Sequence, residues 1–270
     1  MKKLLNATLG LAAAFVLSSC VEYETEITVN KDGSGTIVEE TVFGAQIVEM
    51  LEMAAAQGGG AGQNPLADLK DEEKAKKKAA SYGEGVTLAK VEEVKKNGGK
   101  GVRVTYKFTD INKISFNPSG GLAEMSEMGG PGAAAVEKAK DESAKFKFAD
   151  GKLTIILPEG EGAEDLAEGG DADFDPNDPQ TAMMIEMMKG MKMSAKITAS
   201  PGIAETNATH RDGDSITLFA MEFDKILKNP EGLKALQKID MKDRAKAADA
   251  LAKVEGATAE TKKEVTLTIK

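Results

Sequence analysis

The chain has no Trp, three Tyr, nine Phe, one His and one Cys in 270 residues. With so few aromatics, any core must rest on Val, Ile, Leu, Met and Ala. A hydrolase triad or a zinc centre needs a His with fixed partners, and a single His leaves little room for either. A single Cys excludes an intrachain disulfide framework. Beyond the first few residues, no apolar run approaches the roughly 20 residues of a membrane span. Basic residues are outnumbered, 35 against 44 acidic, and the net charge is −9. That balance disfavours nucleic acid and gives no electrostatic pull toward anionic lipid. The glycines at 58–62 and 98–101 fit neither a phosphate loop nor a dinucleotide fingerprint. The carboxylates are too many and too scattered to nominate an acid–base pair. These absences leave a non-enzymatic role, with no cofactor expected.

What the N-terminus does contain is the three-part layout of an export signal. Met1, Lys2 and Lys3 form a positive start. Residues 4–16 form an apolar stretch of Leu, Ala, Val and Phe, too short to cross a bilayer. Leu17-Ser18-Ser19 is a small-residue exit, and Cys20 follows it. This arrangement resembles the lipobox of bacterial lipoproteins. The resemblance implies a thioether-linked diacylglycerol on Cys20, cleavage before it, and acylation of the new amine. Two or three buried acyl chains anchor stably, because each CH₂ contributes roughly 0.8 kcal/mol. The alternative is an ordinary secretory signal with a lone exported thiol. Val21, rather than Asp, follows Cys20. The lipoprotein sorting rule then implies the periplasmic face of an outer membrane, where the cell has one. Cleavage removes Lys2 and Lys3, so 33 basic residues face 44 acidic ones and the net charge becomes −11.

Hairpins follow. Residues 21–43 alternate as two strands around Asn30-Lys31-Asp32-Gly33-Ser34-Gly35, and Asp-Gly tolerates the positive φ of a primed turn. Phe43, Ile47, Met50, Leu51 and Ala54 then fall at helical spacing. Residues 65–81 predict a second helix carrying Glu72–Lys76 and Glu73–Lys77 pairs. A second hairpin is expected at 86–94 and 101–108 around Asn97-Gly98-Gly99, with Val102, Val104, Tyr106 and Phe108 inward. A third is expected at 145–148 and 153–157 around Asp150-Gly151. Residues 118–143, rich in Gly, Ala, Ser and Met, predict a disordered insert. Residues 159–178 hold nine carboxylates and predict a second one. A Met-rich helix (180–191), a strand (193–199), Pro201-Gly202, and a last hairpin (203–208 with 215–223) follow. The chain ends in a helical stretch (230–254) and an alternating strand, Val265, Leu267, Ile269.

Two segments carry a further resemblance: "ITVNKDGSGTIVEE" and "MKMSAKITASPGIAETNATHRDGDSITLFAMEF". A hairpin just after the lipidated Cys, then a late strand, Pro201-Gly202 and Asn207, resembles the LppM-like domain of bacterial lipoproteins and single-span membrane proteins. About forty residues carry the pattern. The chain departs from it in its two long inserts, in Leu218-Phe219 where a Trp often stands, and in having no C-terminal span. The resemblance implies a compact β-rich exported domain that binds or scaffolds at the envelope. It supplies no catalytic residues.

Three candidate sites remain. Met183, Met187 and Met191 lie four apart, as do Met184 and Met188, with Met193 beyond. Thioethers suit Cu(I), but the same spacing packs a helix face, and no His or Cys stands nearby, so core packing is expected. Asp171, Asp173, Asp175 and Asp178 alternate like a Ca²⁺ loop. Pro176 and Ala182 occupy the positions where an EF-hand needs Gly and Glu, so a solvated acidic linker is expected. His210 stands beside Thr209, Arg211 and Asp212 at a turn and reads as a surface residue; Asn207-Ala208-Thr209 is a glycosylation match without meaning in a bacterial lipoprotein.

The expected fold class is α+β: antiparallel β-hairpins forming a sheet covered by helices. The expected division is a signal peptide (1–19), an LppM-like domain (20–228) and a helical tail with a terminal strand (229–270). The expected role is a lipid-anchored binding or scaffolding module with an envelope protein partner and no nucleic acid. Carriage of a small apolar ligand or lipid in a groove between sheet and helices is the alternative. Cys20, as lipid attachment site, is the one site residue; no catalytic, cofactor or metal residue is expected.

Overall fold

The structure, a computed structural model, describes residues 21–56, 65–118, 120–121, 143–158, 182, 185, 188–229 and 244–270. β1 (Val21–Asn30) and β2 (Gly35–Phe43) form the first hairpin, with Ile27 opposite Ile37. Its turn closes on itself: Asp32 Oδ1 accepts from the Ser34 N–H at 3.0 Å and the Ser34 hydroxyl at 2.6 Å. α1 (Ala45–Ala56) follows.

The expected helix over 65–81 is in fact two, α2 (Pro65–Leu69) and α3 (Glu72–Ser81). Asp71 divides them. It sits in an extended conformation and accepts from the Glu73 and Lys74 N–H groups, which is N-cap chemistry competing with helix continuation. The break changes the charge pairing too: Lys76 meets Glu73 at 2.7 Å, three residues away rather than four.

β3 (Thr87–Lys96) and β4 (Gly99–Phe108) form the second hairpin. Asn97 and Gly98 both take positive φ there, 51° and 80°, as a two-residue primed turn requires. A 3₁₀ turn at Ile111–Lys113 leads to β5 (Ser115–Phe116). β6 (Ala144–Ala149) and β7 (Lys152–Ile156) are the third hairpin. The later elements are β8 (Lys192–Ser200), β9 (Ile203–Thr206), β10 (Arg211–Asp212), β11 (Ser215–Glu222) and the short α4 (Phe223–Ile226). The chain closes with α5 (Arg244–Leu251), β12 (Ala257–Ala259) and β13 (Glu264–Ile269).

An α+β architecture is present, but its described strands make two sheets rather than one. The larger runs β10-β11-β8-β1-β2-β4-β3, with β12 added on β11; the smaller runs β5-β6-β7-β13-β9. The larger sheet is not wholly antiparallel, because β1 and β8 pair in parallel, Glu22 beside Lys192 through Asn30 beside Ser200. The expected hairpin between 203–208 and 215–223 does not form. β9 pairs with β13, while β11 pairs with β8, β10 and β12. Pro201-Gly202 lies between the two sheets in the chain, joining β8 of one to β9 of the other. β13 lies between β7 and β9, so a boundary at 229 cuts off a strand that the smaller sheet pairs on both sides.

The two sheets bury their apolar faces in one core. Ile27, Ile37, Tyr106 and Ile197 of the larger sheet and Leu153, Ile155, Val265 and Leu267 of the smaller are all 0–1% exposed. Fully burying each such aliphatic side chain contributes about 1.5–3 kcal/mol. The other face of the larger sheet is polar. Glu24 meets Lys196 at 2.6 Å, Glu22 meets Lys96 at 2.7 Å, and Arg103 pairs with Glu40. The Lys96 ammonium is held above its ordinary value, first by the hydrogen bond to Glu22.

Candidate functional site

The inward face of the larger sheet is interrupted by one carboxylate. Odd-numbered residues of β1 and β2 point inward, so Glu39 enters the buried row between Ile37 and Thr41, opposite Thr25. It is 5% exposed, and Thr25 and Thr41 beside it are equally enclosed. Three donors converge on its Oε1: the Tyr23 hydroxyl at 2.9 Å, the Lys78 ammonium at 2.6 Å, and the Tyr82 hydroxyl. Tyr106 packs its ring against that of Tyr82, centroids 5.4 Å apart and planes tilted by 56°. Two of the chain's three tyrosines thus donate to one buried carboxylate, and the third packs against one of them.

Local structure places each donor. Tyr23 lies on β1, beside the strand that carries Glu39. Lys78 is in the last turn of α3, and Tyr82 is its C-cap residue. Ala75 and Ala79 form the buried face that seats α3. Behind Tyr82 the backbone passes so close to Lys113 that a Cβ on Gly83 would stand 2.0 Å from the Lys113 carbonyl, and φ there is +136°. Only glycine serves at that point. The Tyr82 carbonyl also accepts from the Ser115 N–H at 2.8 Å. Chemically, the arrangement holds a charge in place. The carboxylate is satisfied by phenols and an ammonium, and the group fastens α3 to the sheet.

The sequence reasoning missed this cluster. The signal was available in β2 itself: Ile37, Glu39 and Thr41 alternate at the strand period of two, so the row that buries Ile37 also takes Glu39. What no local pattern shows is that a helix forty residues later supplies its partners.

A second concentration of features lies at the Val21 end of the sheet. Met191, Met193, Phe223, Ile226 and Val254 form a small separate core, with Val21, Met188 and Met221 packed on it. Met191 and Met193 are therefore packing residues, 6% and 4% exposed. Met183, Met184 and Met187 lie outside the described residues. On the other side of Val21, α1 leaves Met50 and Met53 54% and 52% exposed. Met50, which falls at helical spacing with Ile47 and Leu51, faces outward, and Val48 takes the buried position.

The remaining expectations fall as follows. Ser200–Pro201 is a cis peptide bond; the Gly202 carbonyl accepts from the Lys270 N–H at 2.9 Å. Asn207 behaves as an extra rung of β9: its Oδ1 accepts from the Thr266 N–H at 2.7 Å, and its own N–H donates to the Thr266 carbonyl at 3.2 Å. Thr209 donates its N–H and hydroxyl to Glu260, at 2.6 and 2.9 Å, and Glu260 is 3% exposed. Asn207 and Thr209 thus tie the late loop to the C-terminal segment. His210 is half-buried, and its carbonyl accepts from the Thr217 N–H at 2.9 Å. Cys20, the acidic stretch 159–178 and nearly all of 118–143 lie outside the described residues. Among the described residues no group of three or more His, Cys, Asp or Glu is placed to hold a metal ion, and no helix is long and apolar enough to cross a membrane.

No protein-family model matches the chain, and no curated protein matches it. Among solved structures, it is weakly similar to the folded domain of LppM from Mycobacterium tuberculosis, determined by NMR. Identity is 9% and the TM-score 0.30, over 79% of this chain and 88% of that one.

Proposed function

We propose that the chain is a lipid-anchored exported envelope protein whose two-sheet domain acts as a non-enzymatic binding or scaffolding module. The observation that carries the reading is the run Leu17-Ser18-Ser19-Cys20 behind a short apolar stretch, with the first strand beginning at the next residue, Val21. The export signal ends where the fold begins, which is where a processing site belongs. Diacylglycerol on Cys20 and acylation of its amine would hold the domain at the membrane. Val21 after Cys20 favours the periplasmic face of an outer membrane in a cell that has one. The polar outer face of the larger sheet and its Glu–Lys pairs suit a surface that meets another protein in water.

The test has two parts. Mass spectrometry of the mature protein should find an N-terminus at Cys20 carrying acyl mass, and Cys20→Ser should abolish it and leave the protein soluble or unprocessed. A cleaved, unlipidated Cys20→Ser protein that still fractionates with membranes would refute the anchor. Co-purification of the tagged protein from solubilised envelopes then identifies the partner. Stoichiometric lipid in the absence of any protein partner would replace scaffolding by carriage.

A further inference from the structure

Resting on the anchor reading above, we infer that α1 is a membrane-seating element, which lays Met50 and Met53 into the lipid headgroup region and fixes how the domain stands on the bilayer. The attachment site and the first strand are adjacent in sequence. β1 begins at Val21, the residue after Cys20. Acyl chains on Cys20 would therefore hold the end of the larger sheet, not a flexible stalk, at headgroup level.

What lies at that end follows from register. Val21 pairs with Phe43, and Phe43 with Lys100. Two strand spacings, roughly 10 Å, separate Val21 from Lys100. α1 starts two residues after Phe43, and its Glu52 carboxylate meets the Lys100 ammonium at 2.6 Å. The helix is thus held beside the β3–β4 turn at the Val21 end of the sheet. Val48 is its buried residue, and Met50 and Met53 lie on the opposite side, three apart on one surface strip with Gln46. They are the two large apolar side chains left exposed among the described residues. Met is unbranched and adaptable, suited to an irregular lipid surface. Lys100, paired with Glu52 of the same helix, stands at the turn, and a long lysine stem can lie along apolar surface while its head stays in water. The lipid surface is the occupant that the chain's own connectivity brings to this strip.

The test uses the full lipidated protein, reconstituted into phosphatidylcholine vesicles that contain a nitroxide-labelled lipid. Cys20 is the only native Cys, and its sulfur is engaged by lipid, so Met50→Cys and Met53→Cys each offer a single thiol for a fluorophore. Lys31→Cys, in the exposed turn at the far end of β1 and about 30 Å away along the strand, is the control. Labels at 50 and 53 should lose most of their fluorescence to the lipid nitroxide, at one protein per vesicle, while the label at 31 keeps it. If the protein floats with vesicles and carries acyl mass, yet all three labels are equally open to aqueous iodide, the seating is wrong and the anchor stands. If it neither floats nor carries acyl mass, both fall. Protection of 50 and 53 that requires many proteins per vesicle assigns the strip to a second copy and overturns the inference. Gln46→Cys, on the same strip, repeats the measurement should either Met variant melt below wild type.

Discussion

Removing the Glu39 side chain should be among the most damaging single changes on the inner face of the larger sheet. Glu39→Ala takes away the acceptor shared by the Tyr23 and Tyr82 hydroxyls, both buried. A buried donor that loses its acceptor costs about 1–3 kcal/mol. Lys78 is 29% exposed and can turn to water, so its pairing adds about 1 kcal/mol at most. The expected loss is about 2–7 kcal/mol, a large share of the ~5–15 kcal/mol that holds a domain together. At about 2–4 °C per kcal/mol for a domain this size, the melting temperature should fall by about 4–28 °C. Glu39→Gln keeps an acceptor oxygen and should cost about half as much, since hydrogen bonds to charged groups are roughly twice as strong as neutral ones. Urea unfolding of the two variants measures both. Tyr82→Phe supplies the cycle: if Tyr82 acts through Glu39, its cost in the Glu39→Ala background should nearly vanish. Glu39→Ala within about 0.5 kcal/mol of wild type, at an unchanged denaturant slope, would refute the account of the cluster.

Other changes test separate parts. Asp71→Ala removes the side chain that caps α3 and should cost about 1 kcal/mol by urea unfolding, because the Glu73 and Lys74 N–H groups lose their acceptor. Met191→Leu with Met193→Leu conserves volume and apolarity in the small core, so each should cost under about 1.5 kcal/mol, and competition titration should find no Cu(I) affinity lost from wild type. The Asp32 carboxyl is held below its ordinary value of 3.8 by the Ser34 hydroxyl first and the Ser34 N–H next. A lowered folded-state value means the turn's contribution is present above the ordinary value and fades as pH falls through the lowered one. NMR titration should place Asp32 below 3.8, and Ser34→Ala should bring it back up.

How much of this was legible beforehand depends on how far apart the interacting residues stand in the chain. The three leading hairpins could be read directly, and Asn97-Gly98 and Asp150-Gly151 are two-residue turns with positive φ at both positions. The first turn departs from the expected primed type: between the paired Val29 and Gly35 only Gly33 takes positive φ, and the loop closes through the Asn30 N–H on the Ser34 carbonyl. The buried rows Val102 to Phe108 and Val265 to Ile269 could be read from alternation, since a strand with one wet face repeats every second residue. The run Leu17-Ser18-Ser19-Cys20 behind a short apolar stretch is likewise read from the sequence alone. Tertiary structure alone decided which strands are neighbours. A period of two says that a strand has an inner face but not which edge it meets. The parallel pairing of β1 with β8, and the departure of β9 to the far side of β13, were therefore invisible. Asp71 split a helix because its carboxylate reached two N–H groups sooner than the helix could continue. Glu39 was decided last of all. Its inward position is a matter of local parity, but its survival there depends on Tyr82 and Lys78, brought back by α3 from more than a hairpin away. A buried charge is tolerable only when the finished fold has assembled its partners, and that assembly is a property of the packed chain rather than of any segment.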